Sequence, residues 1–351
     1  MAAATTFEEA ISVTPITSHT YAANLQQAWC IGTVPNGGYI TSLFQNAART
    51  HLRSTHPTQH NGNPHPITLH LTFLRRTEAG PARFTVQDTK LGARTSTLHI
   101  ALSQGNDADN QREEVSGYIT VSNLADEKGP SMTTGFSLLP PATPGSSFPN
   151  ANLTTSSTFP AVDLSKLALT SRDGAWTSYT IPFQSMRRAT QHVEFYTPTA
   201  PRQSGFVEQW VRFQPYGKLG RWTDNALGFL LDMFPMYLEG LDDEPWDNKD
   251  NNQKAQQEQQ ASRAKYWYPT VLLNAEIKKG LPAGGVEWLY SRVQTRMLRN
   301  GRMDLDIVIL DVTGDIVALS NHVSLVVDAE RNFSARNKNG NGNGNGKSSK
   351  I

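Results

Sequence analysis

Cysteine is nearly absent from this chain, with Cys30 alone among 351 residues. A single thiol can form neither an internal disulfide nor a multi-cysteine metal site, which suits a reducing compartment. Its position between Trp29 and Ile31 is that of a small buried hydrophobe more than of a nucleophile. Long apolar runs are missing as well. No stretch approaches the roughly 20 apolar residues a membrane-spanning helix needs. The N-terminus also lacks the basic-then-apolar pattern of a secretory signal. The expectation is a soluble intracellular protein with no membrane span. Neither sign of charge dominates: 32 Lys+Arg against 31 Asp+Glu leaves a formal net charge of +1. Without a basic stripe or tail, nucleic acid is not an expected partner. No Gly-x-Ser-x-Gly elbow occurs, which argues against an α/β-hydrolase. The Gly-x-Gly runs are confined to an Asn/Gly tract near the C-terminus, where no strand or helix could build a nucleotide loop, and no cofactor is expected.

The chain is long enough for roughly two domains. Between 126 and 203 it turns rich in Ser, Thr, Pro and Gly, the composition of a connection. The flanking blocks, 1–125 and 204–330, share one plan. In the first, Asn36-Gly37-Gly38-Tyr39 opens a helix with Ile40, Leu43, Phe44, Ala47 and Ala48 on one stripe. Alternating strands follow at Ile67–Leu74, Ser96–Leu102 and Val115–Val121. In the second, a strand at Phe206–Phe213 precedes an apolar helix. Strands at Thr270–Ile277, Glu287–Leu298, Leu305–Leu310 and Val317–Val327 come after it. Helix-then-strands, without βαβ alternation, argues for an α+β fold. Residues 246–265 read as a polar insertion and 331–351 as a flexible tail.

The apolar helix, predicted over 226–238, carries one charge, Asp232. Leu227, Leu230, Leu231, Phe234 and Leu238 fall at helical spacing, and Phe229, Met233 and Met236 fill the opposite side, so the segment reads as buried nearly all round. A carboxylate there must meet hydrogen-bond donors, take up a proton, or serve chemistry. An aspartate that only caps a loop or ends the helix before Pro235 is the structural alternative.

Two copies of helix plus antiparallel strands, the first opened by Trp29 and Asn36-Gly37-Gly38-Tyr39, resemble the double-hotdog acyl-CoA thioesterases of the TesB-like group. The likeness covers about 15–125 and 204–328. It implies two hotdog units side by side, each a sheet wrapped round a central helix, acting on an acyl-CoA or related acyl thioester; a homo-oligomer is compatible with it. The family holds its attacking water with an Asp on the second helix, a Thr or Ser opening the next strand, and a Gln on the last strand. The resemblance carries the first role to Asp232 and the second to Thr270. At the third, Asn321-His322 stands where glutamine is expected, so His322 is the candidate there.

Alternation gives an independent check. In the last strand Val317, Leu319, Val323, Leu325 and Val327 share a face, so His322 is expected on the other with Ala318, Ser320 and Ser324. In Thr270–Ile277 the apolar face is Val271, Leu273, Ala275 and Ile277, which puts Thr270 on the second face with Asn274 and Glu276. Thioester hydrolysis needs only a base for water and donors for the oxyanion. Asp232 or His322 could take the proton and Thr270 orient the water, while backbone N–H groups at Gly37 and Gly38 receive the carbonyl oxygen. Three readings stay open: a thioesterase, a biosynthetic hotdog enzyme acting on a polyketide-type acyl chain, and a non-catalytic acyl-binding protein.

His51, His56, His60 and His65 are broken up by Pro57, Asn61, Gly62 and Pro64. They read as a solvated histidine-rich loop, and no metal is expected. The terminal Ser349-Lys350-Ile351 differs from the peroxisomal address Ser-Lys-Leu by one aliphatic residue. Delivery by the peroxisomal import receptor is therefore expected, with the cytoplasm as the alternative location.

Overall fold

The Asn36-Gly-Gly start does open a helix, and the stripe behind it becomes the core. In the computed structural model, which describes residues 5–105, 111–132, 134–139, 162–201, 205–234 and 265–333, that helix spans Gly37–Thr55. Asn36 caps it, its side chain accepting the Tyr39 N–H at 3.1 Å. This satisfies one of the orphan donors of the first turn. Ile40, Leu43, Phe44, Ala47 and Ala48 are all fully buried.

The first half comprises α1 (Phe7–Ala10), β1 (Thr14–Pro15), β2 (Thr20–Leu25), β3 (Cys30–Ile31), β4 (Val34–Pro35), α2 (Gly37–Thr55), β5 (His65–Phe73), β6 (Gly80–Lys90), β7 (Ser96–Gln104) and β8 (Arg112–Ser122). The second comprises α3 (Leu164–Thr170), β9 (Trp176–Tyr179), β10 (Val193–Pro198), β11 (Phe206–Phe213), α4 (Asp224–Leu230), β12 (Tyr266–Trp267), β13 (Thr270–Ile277), β14 (Trp288–Gln294), β15 (Leu298–Arg299), β16 (Arg302–Leu310), β17 (Ile316–Leu325), β18 (Val327–Asp328) and α5 (Glu330–Phe333). One antiparallel sheet runs through both halves and is continuous across a β5–β13 seam, where His70 stands opposite Asn274. Outward from that seam the order is β5-β8-β7-β6-β2 on one side and β13-β17-β16-β14-β11 on the other. Each series holds the strand before the central helix at its far end and the four strands after it inside. That correspondence is what a pseudo-twofold axis at the seam requires, and the architecture is an α+β double hotdog.

Five expectations need correction. The apolar helix is shorter than its pattern: α4 stops at Leu230, and Asp232 lies in the turn that follows. A proline at 235 disfavours helix in the residue before it, and Asp232 uses its side chain on α2. Second, the Ser/Thr/Pro-rich stretch is not all connection. β9 and β10 extend the sheet beyond β11, and Trp176 and Leu167 bury against Trp210, Trp288 and Tyr290 on its outer face. Third, the burial of β17 is the reverse of its hydropathy. Ala318, Ser320, His322 and Ser324 are buried, while Leu319, Val323 and Leu325 are only partly covered. Fourth, the histidines are not a solvated loop. His51 and His60 are buried, and His60 Nε2 pairs with Ser96 Oγ at 3.0 Å. Fifth, the expected tail 331–351 begins in structure, since Arg331–Phe333 belong to α5 and Asn332 is buried; the rest of it from 334 with Ser349-Lys350-Ile351, the polar insertion up to residue 264, and the Met236–Leu238 end of the apolar run lie outside the described residues.

Candidate active site

The end of α4 meets the start of α2, and glycine allows the contact. A Cβ on Gly38 would stand 2.5 Å from the Phe229 carbonyl oxygen and 2.9 Å from Asp232 Cβ. Real carbon atoms do not pack that closely, so only glycine lets the two backbones meet. The approach delivers the Asp232 carboxylate to the positive end of α2. There Oδ2 accepts the Gly38 N–H at 3.0 Å and the Asn36 side-chain amide at 3.1 Å.

Thr270 reaches the other carboxylate oxygen, its hydroxyl donating to Asp232 Oδ1 at 2.9 Å. Strict alternation would point Thr270 away from the Leu273 face. A register shift between Thr270 and Leu272 breaks the phase, so that Thr270 stands opposite Ser324 and Leu273 opposite His322. An extra residue in one strand moves the side chains beyond it to the other face. Thr270 therefore joins His322 and Ser324 on the inward side.

His322 completes the group from behind. Its Nδ1 is 3.5 Å from Asp232 Oδ1, without the alignment of a hydrogen bond, and its Nε2 is 2.8 Å from Ser320 Oγ. Ser320 donates its own hydroxyl to the Asn274 carbonyl at 2.7 Å. A carbonyl can only accept, so Ser320 Oγ must accept from His322 Nε2–H. The tautomer is thereby assigned, and the Nδ1 lone pair is left facing Asp232.

Burial dominates the electrostatics. Asp232 is only 7% exposed. Desolvation pushes its pKa up to about 7, even though the bonds from Thr270, Gly38, Gly37 and Asn36 all pull it down. Burial moves His322 the other way, to about 3, so the imidazole is neutral at neutral pH. The arrangement thus holds a carboxylate poised near neutrality beside a neutral imidazole.

Asp232 and Thr270 open onto a cavity of about 590 Å³, together with Asn36 and Gly37. Phe73, Phe234, Tyr266, Trp267 and Tyr268 supply apolar and aromatic wall, and Arg75, Arg76, Arg187 and Arg331 also line it. His322 is not on the wall. The structure thus brings Asp232, Thr270 and His322 together and places Gly37 and Gly38 beside them. The glycine role needs revision, because the Gly38 N–H assigned to a substrate carbonyl is already given to Asp232. Sequence reasoning also missed Asn36 as a carboxylate donor, Ser320 as the tautomer lock, and the aromatic and arginine lining. The Asn cap before Gly37-Gly38 was a usable signal for the first; nothing in the pattern marked the others.

Residues 25–122 match the family described as acyl-CoA thioesterase N-terminal domain, and residues 162–326 match acyl-CoA thioesterase C-terminal domain. Thioesterase-like protein TwmA of Talaromyces wortmannii is 34% identical over 347 residues, covering 93% of each chain. Among solved structures, a conserved protein of unknown function with a hot dog fold from Alicyclobacillus acidocaldarius superposes with a TM-score of 0.61 at 13% identity, over 92% of this chain and 97% of that one. Acyl-CoA thioesterase II TesB2 from Mycobacterium marinum gives 0.52 at 16% identity, over 92% and 98%. At those identities the structural likeness speaks to the fold alone.

Proposed function

The chain belongs to the acyl-CoA thioesterase family, and on that premise we propose that it hydrolyses an acyl thioester with a water activated by Asp232, without a covalent acyl-enzyme. The observation that carries this reading is a buried carboxylate with a pKa of about 7 on the wall of a cavity, its orientation fixed by Thr270, Asn36 and Gly38. Water bound between Asp232 and Thr270 gives its proton to the carboxylate and attacks the thioester carbon. The carbon–sulfur bond then breaks, and the proton held on Asp232 passes to the departing thiolate.

The helix start serves both halves of this exchange. As Asp232 becomes neutral, its claim on the first-turn N–H groups of α2 weakens just as the carbonyl oxygen becomes negative. The negative charge stays at the same helix end, with Gly37 on the cavity wall as the donor nearest the substrate. His322, neutral and away from the wall, acts as a positioning residue for Asp232. The four arginines suit a carrier with phosphate groups, and the aromatic wall suits an acyl chain.

CoA and the arm of an acyl carrier protein present the same phosphopantetheine thioester, so release of a biosynthetic acyl chain is the second reading, favoured by the same arginines. Assays on a panel of acyl-CoAs beside matched N-acetylcysteamine thioesters test both. Hydrolysis of acyl-CoA that falls about 10²- to 10⁴-fold in Asp232→Asn supports the proposal. An intact fold with no hydrolysis of either series would favour a non-catalytic acyl-binding protein. We also propose peroxisomal delivery through Ser349-Lys350-Ile351.

A further inference from the structure

At the opposite end of α2 from Asp232, three imidazoles converge on one carboxylate. The helix has 19 residues, and a rise of about 1.5 Å per residue puts its ends on the order of 27 Å apart. His51 Nε2 is 2.8 Å from Asp88 Oδ1, and His56 Nε2 is 2.8 Å from Asp88 Oδ2. His19 Nε2 is 3.3 Å from the same Oδ2. Ligand atoms of His19, His51 and Asp88 all lie within 4.8 Å of one another. We infer that His19, His51 and Asp88 form a binding site for a first-row divalent transition metal, Zn²⁺ foremost, separate from the catalytic cavity.

Chemistry, outer contacts and placement support this. Two imidazole nitrogens and one carboxylate oxygen are a donor set that zinc takes in tetrahedral geometry, with water filling the fourth position. Bonds of about 2.0–2.1 Å in such a site set neighbouring donors about 3.3 Å apart, and His51 at 2.8 Å and His19 at 3.3 Å from the two oxygens of Asp88 lie close to that spacing. Ser18 touches the second ring nitrogen of both histidine ligands and supports the metal-binding tautomer of His51. His51 Nδ1 is 3.2 Å from the Ser18 carbonyl oxygen, which can only accept, and His19 Nδ1 is 2.9 Å from Ser18 Oγ. Donating its Nδ1–H to the Ser18 carbonyl leaves the His51 Nε2 lone pair aimed at an anionic carboxylate, a conflict that a cation between them resolves. The ligands come from the loop before β2, the end of α2, and β6, so the ion would fasten three elements of the first half.

The probe is Zn²⁺ itself, titrated calorimetrically into tag-free full-length protein stripped with a chelator, at about pH 7.5, above the ordinary histidine range. Co²⁺ added in parallel reports tetrahedral geometry through its visible absorption. The expected result is one equivalent bound with a rise in melting temperature. Asp88→Asn and His19→Gln should each weaken binding at least about 10-fold. His51 is left unchanged because it is fully buried, and His70→Gln, outside the cluster, should bind as the parent does. No stoichiometric uptake, or uptake that both variants leave intact, would overturn the site and leave a hydrogen-bonded cluster without a metal.

Discussion

At the scale of single residues, Asp232 and His322 make opposite demands on a proton. Because Asp232 must be ionised to accept one from water, kcat/KM should fall as pH drops below about 7, with one ionisation controlling the acidic limb. The same shift affects stability. An aspartate whose folded pKa is raised contributes stability below its unfolded pKa and loses it as pH rises through the folded value. Asp232→Asn has no ionisation to suffer, so its melting temperature should gain on the parent's between about pH 4 and 7. An unchanged difference across that window would contradict the assignment. His322→Gln tests the neighbouring lone pair. An imidazole Nδ1 that faces Asp232 as an acceptor favours the protonated acid, whereas a glutamine amide can donate to the carboxylate and favour the anion. The acidic limb of the rate profile should therefore move to lower pH in His322→Gln with activity retained. A collapse in rate with the limb unmoved would make His322 a direct participant.

At the scale of elements, the site depends on how closely α4 can end against α2. Gly38→Ala forces a carbon against the Phe229 carbonyl. Overpacking of this kind costs about 1–3 kcal/mol, and here it should also displace Asp232. Thermal denaturation and kcat measured together should both fall, while Gly284→Ala, where a Cβ meets nothing within 4 Å, should leave both near parental values. A Gly38→Ala enzyme with full activity would show that the crossing has slack. This crossing also explains which features could be read from the sequence. α2 was visible because its cap, glycines and apolar stripe are local signals that agree. β11 and β13 were read with their observed limits, since alternation and flanking breakers are local too. β2, β6, β9 and β10 were not identified; β9 and β10 are edge elements whose burial depends on distant tryptophans. The inward turn of Thr270 depends on a bulge, and the burial of His322 on packing by another element. Neither leaves a mark in its own strand's pattern, so Asp232 could be singled out while its neighbours' orientation could not.

At the scale of the whole molecule, delivery and assembly are separable. Deleting Ser349-Lys350-Ile351 should leave folding and in vitro hydrolysis unchanged and disperse the protein into the cytosol, since a receptor-read address acts without core contacts. Imaging that finds the intact protein already cytosolic would remove peroxisomes from the account. Assembly is a stricter matter, because the site belongs to neither half. Asp232, Thr270 and His322 come from the second unit, but the donors holding Asp232 are Asn36 and Gly38 of the first. The seam has the same character, as β5 finds its outer partner only in β13. Cutting the chain in the Ser/Thr/Pro-rich stretch exposes two unpaired strand edges, both prone to association. It also leaves Asp232 buried without two of its donors. Residues 1–125 and 126–351 made separately should therefore be poorly soluble and inactive, and co-expression should restore hydrolysis by re-forming the seam. A second half that hydrolyses acyl thioesters alone at the parental rate would show that the α2 start is dispensable, and with it the proposal that this helix end holds first the carboxylate and then the oxyanion.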